Sequence, residues 1–234
     1  MDKPDAPSKS IKYLIAAAFG WEMLALLPAL LLFRTEYGKS RVVPLVGQGL
    51  LIEIAKLLGY SIVFLGDYIQ GRIVGHGNLR AGLGYQPSAR RPIVVLMAIL
   101  IAAYAILWDV IHYVYFRDLV YQRFVIDESS PWLSLTHAFF SVLLAPLSEE
   151  LFFRGWLWIG LRKHWGALPT GVLTGMVWIG MRSPQIWVWF LPVAVMLSVA
   201  RHFGQSVRAS IALHMLYSFI VLISPRALNA AGLL

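Results

Sequence analysis

Hydrophobic positions gather into seven long runs along the chain, at about 11–33, 42–65, 93–116, 134–160, 167–181, 186–200 and 208–225. Short polar stretches rich in Lys, Arg, Gly and Pro separate them. An α-helix needs roughly 20 apolar residues to cross the hydrocarbon core of a bilayer, so each run predicts a membrane helix. The fifth and sixth runs are short, and the expectation is an all-α, polytopic transmembrane bundle of about seven to eight membrane helices. No small-residue cleavage pattern follows the first run, which reads as a retained anchor rather than a removed signal peptide.

The polar stretch between the second and third runs, GDYIQGRIVGHGNLRAGLGYQPSARRP at 66–92, is basic and punctuated by glycine and proline. It reads as a plain loop. No strand precedes it, so a phosphate-binding cradle is not expected. Gly171 and Gly175 form a GxxxG pair, which predicts close helix packing. No internal repeat and no linker divides the chain, so residues 1–234 are read as a single membrane domain.

Composition sharpens the membrane reading. The chain is 59% hydrophobic and 14% charged, with a mean hydropathy of +0.68, far from the roughly half-apolar, quarter-charged make-up of soluble domains. The net charge of +8 sits in the segments between apolar runs, which points to membrane lipid as the partner and not to nucleic acid. Lys and Arg are more frequent in the segments on the N-terminal side of the membrane, so the N-terminus is expected to be cytoplasmic. Six of the nine tryptophans lie between Trp156 and Trp189 and read as an interfacial aromatic belt. The absence of cysteine excludes disulfide and thiolate chemistry.

Charge inside a membrane helix costs several kcal/mol and generally meets a partner in the bundle, so buried ionisable residues are where function is sought. Glu53 and Lys56 are three apart and can neutralise each other. Asp109 and His112 have the same spacing, which fits either a local hydrogen bond or half of a metal or proton-relay site. Glu22 has no nearby partner in its own run. In SEELFFRGW, 148–156, Glu150 and Arg154 are four apart with the acid first, the favoured helical ion-pair arrangement. Glu149 points about 100° away. It is left as a carboxylate in an apolar setting, the place for a general base. The alternative is that both acids are paired, one with Arg154 and the other with a further cation. His214 and Ser218 lie four apart on one helical face, as an interhelical hydrogen-bonding pair or as part of a site.

These residues resemble the CPBP family of intramembrane endopeptidases, which includes the CAAX-processing protease of prenylated proteins and bacteriocin-processing relatives. EELFFR, Glu149 to Arg154, matches the family's EExxxR motif, and HMLYS matches HxxxN with His214 kept and Ser218 in the asparagine place. The FxxxH motif is replaced by WIGMR, with Trp178 for phenylalanine and Arg182 for histidine. The resemblance covers about 83–225 and leaves 1–82 as an N-terminal two-helix extension. It implies a glutamate-activated water that hydrolyses a peptide bond in a membrane-associated peptide or protein, with His214 and Ser218 as oxyanion donors. Arg182 cannot accept a proton, and if it reaches Glu149 it makes a weaker base of it; it is also a candidate to stabilise negative charge. No metal or other cofactor is expected. The alternative is zinc, which would need a third ligand, from Asp109 or His112, to join Glu149 and His214. Two further readings stand beside the endopeptidase: an impaired family member that binds hydrophobic or lipidated peptides as a partner or regulator, and an ion- or proton-coupled transporter. The sequence assigns no oligomeric state.

Overall fold

The computed structural model describes residues 12–14, 16–18, 20–21, 23–25, 27, 45–88, 90–124, 131–182 and 184–230, with the backbone alone at 45–53, 112–124, 131, 133, 185 and 225–230. Glu22 lies outside the described residues, and so do the side chains of Glu53 and His112. Among the described residues every regular element is helical. Helical positions within 12–27 form α1. They are followed by α2 (Leu45–Val74), α3 (Leu79–Leu83), α4 (Arg91–Phe124), α5 (Pro131–Phe139), α6 (Ala145–Glu150), α7 (Leu157–Trp165), α8 (Ala167–Gly180), α9 (Trp187–Gly204) and α10 (Val207–Ala230). Three helical stretches among the described residues are long and apolar enough to cross a membrane, Arg91–Ile111, Trp187–Gly204 and Val207–Ser224, and Ala167–Gly180 is a shorter apolar helix. α4 and α9 pack on α10, and α8 packs on α9. At that last interface a Cβ on Gly175 would meet the Ala194 Cβ at 3.6 Å.

The fourth apolar run is one continuous but uneven rod. Two wide-turn π-helical segments, Phe140–Leu144 and Leu151–Trp156, flank α6. Pro146 lies in the first turn of α6 and has no N–H to donate, and its ring crowds the carbonyl four residues back. The wide turn just before it relieves that conflict, with the Ala145 N–H reaching back five residues to the Phe140 carbonyl. The second wide turn contains Gly155 at φ −85°, ψ −113°, a non-helical break. Glu149 and Glu150, the last two residues of α6, are thus carried on a short α-helical step between two widened turns.

The connector at 66–92 is not the plain loop expected. Helix α2 runs on through it to Val74, a turn follows at Gly75–Gly77, and α3 begins at Leu79. The polar residues of this end of α2 are buried by partners: the Trp156 indole Nε1 donates to Asp67 Oδ1 at 3.0 Å, and the Tyr13 hydroxyl donates to Gln70 Oε1 at 3.2 Å. Two of its glycines serve backbone contact. A Cβ on Gly82 would lie 1.7 Å from the Gly71 carbonyl oxygen, and one on Gly75 would lie 2.1 Å from that of Asn78. Asn78 caps α3 by accepting from the Ala81 N–H at 3.2 Å. Gly84, at φ 62°, ends the helix with the Gly84 N–H on the Ala81 carbonyl and the Tyr85 N–H on that of Arg80, a left-handed termination that glycine adopts without strain. The segment after α3 is tied to the α9–α10 turn: the Val207 N–H donates to the Gly84 carbonyl at 3.0 Å and the Gln86 side chain to that of Gln205 at 2.7 Å.

The aromatic belt also needs correction. Trp156, Trp158 and Trp178 are fully buried, whereas Trp165 and Trp187 are exposed. Half of the cluster is therefore buried, and Trp156 and Trp178 share one core with Phe152 and Phe153.

Candidate active site

The candidate groups arrive from three elements. Glu149 and Glu150 come from the end of α6, with Arg154 in the wide turn that follows; Trp178 and Arg182 come from the C-terminal end of α8 and just beyond it; His214 comes from α10. Neighbouring residues on a helix point in different directions, and here the two glutamates enter two separate networks.

Glu150 and Arg154 are both wholly buried, with Arg154 Nη1 donating to Glu150 Oε1 at 3.0 Å. The same oxygen receives His214 Nδ1 at 3.0 Å. The Arg154 guanidinium lies 5.1 Å from the Trp178 ring centre and 6.0 Å from that of Phe153, so aromatic faces surround a charge that water does not reach. Its backbone carbonyl accepts from Arg201 Nε at 2.6 Å. Arg201 is itself buried, although its position near the end of an apolar run gave it no role beyond surface charge in the sequence.

Glu149 is not a free carboxylate. Its Oε2 accepts from the Trp178 indole Nε1 at 2.5 Å and from Arg182 Nη2 at 2.5 Å. Glu149 is 17% exposed and Arg182 29%, so this pair sits at the rim of the buried network. The Arg182 guanidinium stacks 5.0 Å from Trp178 and 5.4 Å from Phe190. Each acid thus has its own arginine, the arrangement held above as the alternative.

Trp178 joins the two networks. Its ring meets the His214 imidazole edge-on, with centres 5.4 Å apart and planes at 85°, while its N–H holds Glu149. In the sequence this residue stands only as a replaced phenylalanine. The available signal was chemical: an indole adds a donor that a phenyl ring lacks. Ser218 lies half-buried one turn beyond His214.

Asp109 stands apart. It is buried, and its Oδ2 accepts the Ser224 hydroxyl. Ser224 is ten residues beyond His214, about 15 Å along the helix at 1.5 Å per residue. Asp109 is therefore not brought to Glu149 and His214. Among the described residues no group of three His, Cys, Asp or Glu is placed to hold a metal ion. Asp109, the described candidate for a third ligand, is held by Ser224 away from Glu149 and His214, so the described residues do not complete a three-ligand zinc site.

Comparison with protein families gives a match that spans the site. Residues 131–220 match the family model described as type II CAAX prenyl endopeptidase Rce1-like. The matched span contains Glu149–Arg154, Trp178–Arg182 and His214–Ser218. No curated protein and no solved structure matches the chain. With its apolar helices, this is an integral membrane protein whose residues 131–220 are similar to the Rce1-like type II CAAX prenyl endopeptidase family.

Proposed function

We propose that the protein is an intramembrane endopeptidase that cleaves membrane-associated peptides slowly, by a water that Glu149 activates. Glu149 draws a proton from the water as the water oxygen bonds to the scissile carbonyl carbon. The oxyanion that forms is met by the Ser218 hydroxyl on α10. The C–N bond then breaks as Glu149 returns its proton to the leaving nitrogen. The observation that carries the qualification is the contact of Arg182 with Glu149 at 2.5 Å. Arg182 and the Trp178 indole both occupy Glu149 Oε2 and compete with a water for it, so hydrolysis is restrained rather than optimised. By the excess of Lys and Arg in the segments on that side, the N-terminus is cytoplasmic.

The same contact favours a second reading, in which the chain binds a hydrophobic or lipidated peptide without turnover and serves as a partner or regulator. One experiment separates them. The purified protein in lipid nanodiscs is given a fluorogenic prenylated CAAX-type peptide and its unlipidated counterpart, as wild type, Glu149→Gln and Arg182→His. The endopeptidase reading expects weak wild-type cleavage, loss of it in Glu149→Gln, and faster cleavage in Arg182→His. Cleavage that persists in Glu149→Gln sinks Glu149 as the base. Peptide binding with no cleavage by wild type or Arg182→His establishes the second reading.

A further inference from the structure

We infer that His214 works through Nε2 as a proton acceptor, and that Glu150 is the positioning residue that sets it in that form; this rests on the hydrolytic reading above. Glu150 is wholly buried, and its Oε1 carries the Arg154 guanidinium at 3.0 Å. A carboxylate in that pairing has acceptors only. His214 Nδ1, at 3.0 Å from the same oxygen, therefore donates. In a neutral imidazole the proton on Nδ1 leaves the lone pair on Nε2. A ring in that form cannot donate from Nε2 to an oxyanion, which is the role the resemblance implied for it. It can receive a proton there.

Two further features hold this orientation, and a third leaves the acceptor role to it. The Trp178 indole lies edge-on to the imidazole at 5.4 Å and limits its swing. The N–H of that indole is fixed on Glu149, so imidazole and base candidate are set against the same ring. Arg182, at the position where the resembling family has a histidine, can accept no proton. The described network around Glu149 thus contains one imidazole with a carboxylate behind it, and it enters from α10.

The proton balance gives His214 a specific step. Glu149 takes the first proton of the water as the O–C bond forms, and returns it to the leaving nitrogen as the C–N bond breaks. The hydroxyl of the tetrahedral intermediate still carries the second. His214 Nε2 accepts that proton as the carboxylate product forms, then passes it to the departing amine, which leaves as an ammonium. Both protons of the water are accounted for, and Glu149 and His214 are restored. The carboxylate behind Nδ1 keeps the ring in one tautomer and one orientation through the transfer, as in a carboxylate–imidazole pair of a hydrolase.

The test uses the full chain in nanodiscs with ¹⁵N-histidine labelling. The His214 signals are identified by their loss in His214→Asn, whose amide can still donate to Glu150 from the place of Nδ1. The expected result is an unprotonated Nε2 and a protonated Nδ1 in the resting wild type. With the prenylated peptide, His214→Asn is expected to lower kcat by about 100-fold or more with little change in KM, while its thermal unfolding stays near that of wild type. A proton on Nε2 in the resting protein overturns the inference whatever the turnover. So does a His214→Asn variant that cleaves as fast as wild type. No cleavage by wild type and by Arg182→His overturns the hydrolytic reading, and the relay with it. That outcome is distinct from a failure of this inference alone, in which wild type and His214→Asn cleave equally well.

Discussion

Breaking the Glu150–Arg154 pair from either side should cost far more than removing the pair. Both side chains are wholly buried at 3.0 Å. Two unit charges about 4 Å apart at an effective dielectric of about 20 attract by about 4 kcal/mol, and loss of one partner leaves the other as an uncompensated buried charge. Arg154→Met and Glu150→Gln are therefore each expected to lose about 3–5 kcal/mol. The double variant carries no stranded charge. It loses chiefly the stacking of the guanidinium near Trp178 and Phe153, and is expected to fall only about 1–2 kcal/mol below wild type. Unfolding of the four proteins is measured by tryptophan fluorescence as the SDS fraction rises in mixed micelles. The single losses should sum to exceed the double loss by at least about 4 kcal/mol. A double loss equal to the sum of the singles to within about 0.5 kcal/mol refutes the reasoning, because the two charges would then not depend on each other.

Other outcomes follow from individual contacts. Trp178→Phe keeps an aromatic ring but removes the N–H on Glu149; since Glu149 retains some exposure and water can replace the donor, the stability loss should stay below about 2 kcal/mol, measured by the same unfolding assay. Combined with Arg182→His it should cleave peptide faster than Arg182→His alone, and slower cleavage would mean that the indole assists the base. Gly82→Ala would place a methyl 1.7 Å from the Gly71 carbonyl oxygen, and should lose at least about 3 kcal/mol or fail to assemble. Gly180→Ala meets nothing within 4 Å and should unfold as wild type does; equal behaviour of the two alanine variants would contradict the close crossing of α2 and α3. Asp109→Asn can still accept the Ser224 hydroxyl and should leave the rate of peptide cleavage unchanged, whereas a collapse of kcat would bring Asp109 into the site.

What the sequence makes legible is what is local or collective. The apolar runs at 93–116, 186–200 and 208–225 overlap the three stretches long enough to span, because span length is a property of one segment. The Glu150–Arg154 contact is contained in a four-residue spacing, because helix geometry puts those positions on one face. The contact of His214 with Glu150 closes over 64 residues, and no periodicity carries it. Arg182 was visible as a cation within possible reach of Glu149 only by resemblance; that an indole N–H shares the same oxygen follows from where α8 ends. The connector glycines were misread because glycine marks a turn and a close backbone crossing with the same letter. Trp156 and Trp178 were misplaced for a similar reason: an amphipathic ring suits an interface, and it equally suits a buried position that offers its N–H a partner, as Asp67 and Glu149 do.

The order of the buried charges along the chain bears on how the protein is made. Glu149 and Glu150 precede Arg154, Arg182 and Arg201, and no acidic residue occurs from 151 to 234. During synthesis from the N-terminus, each arginine that ends within this network enters the membrane after the group that receives it: Arg154 after Glu150, Arg182 after Glu149, and Arg201 after the Arg154 carbonyl. The early acids thus act as a waiting counter-charge, and helices emerging later from the ribosome can be accepted one at a time without a stranded cation in lipid.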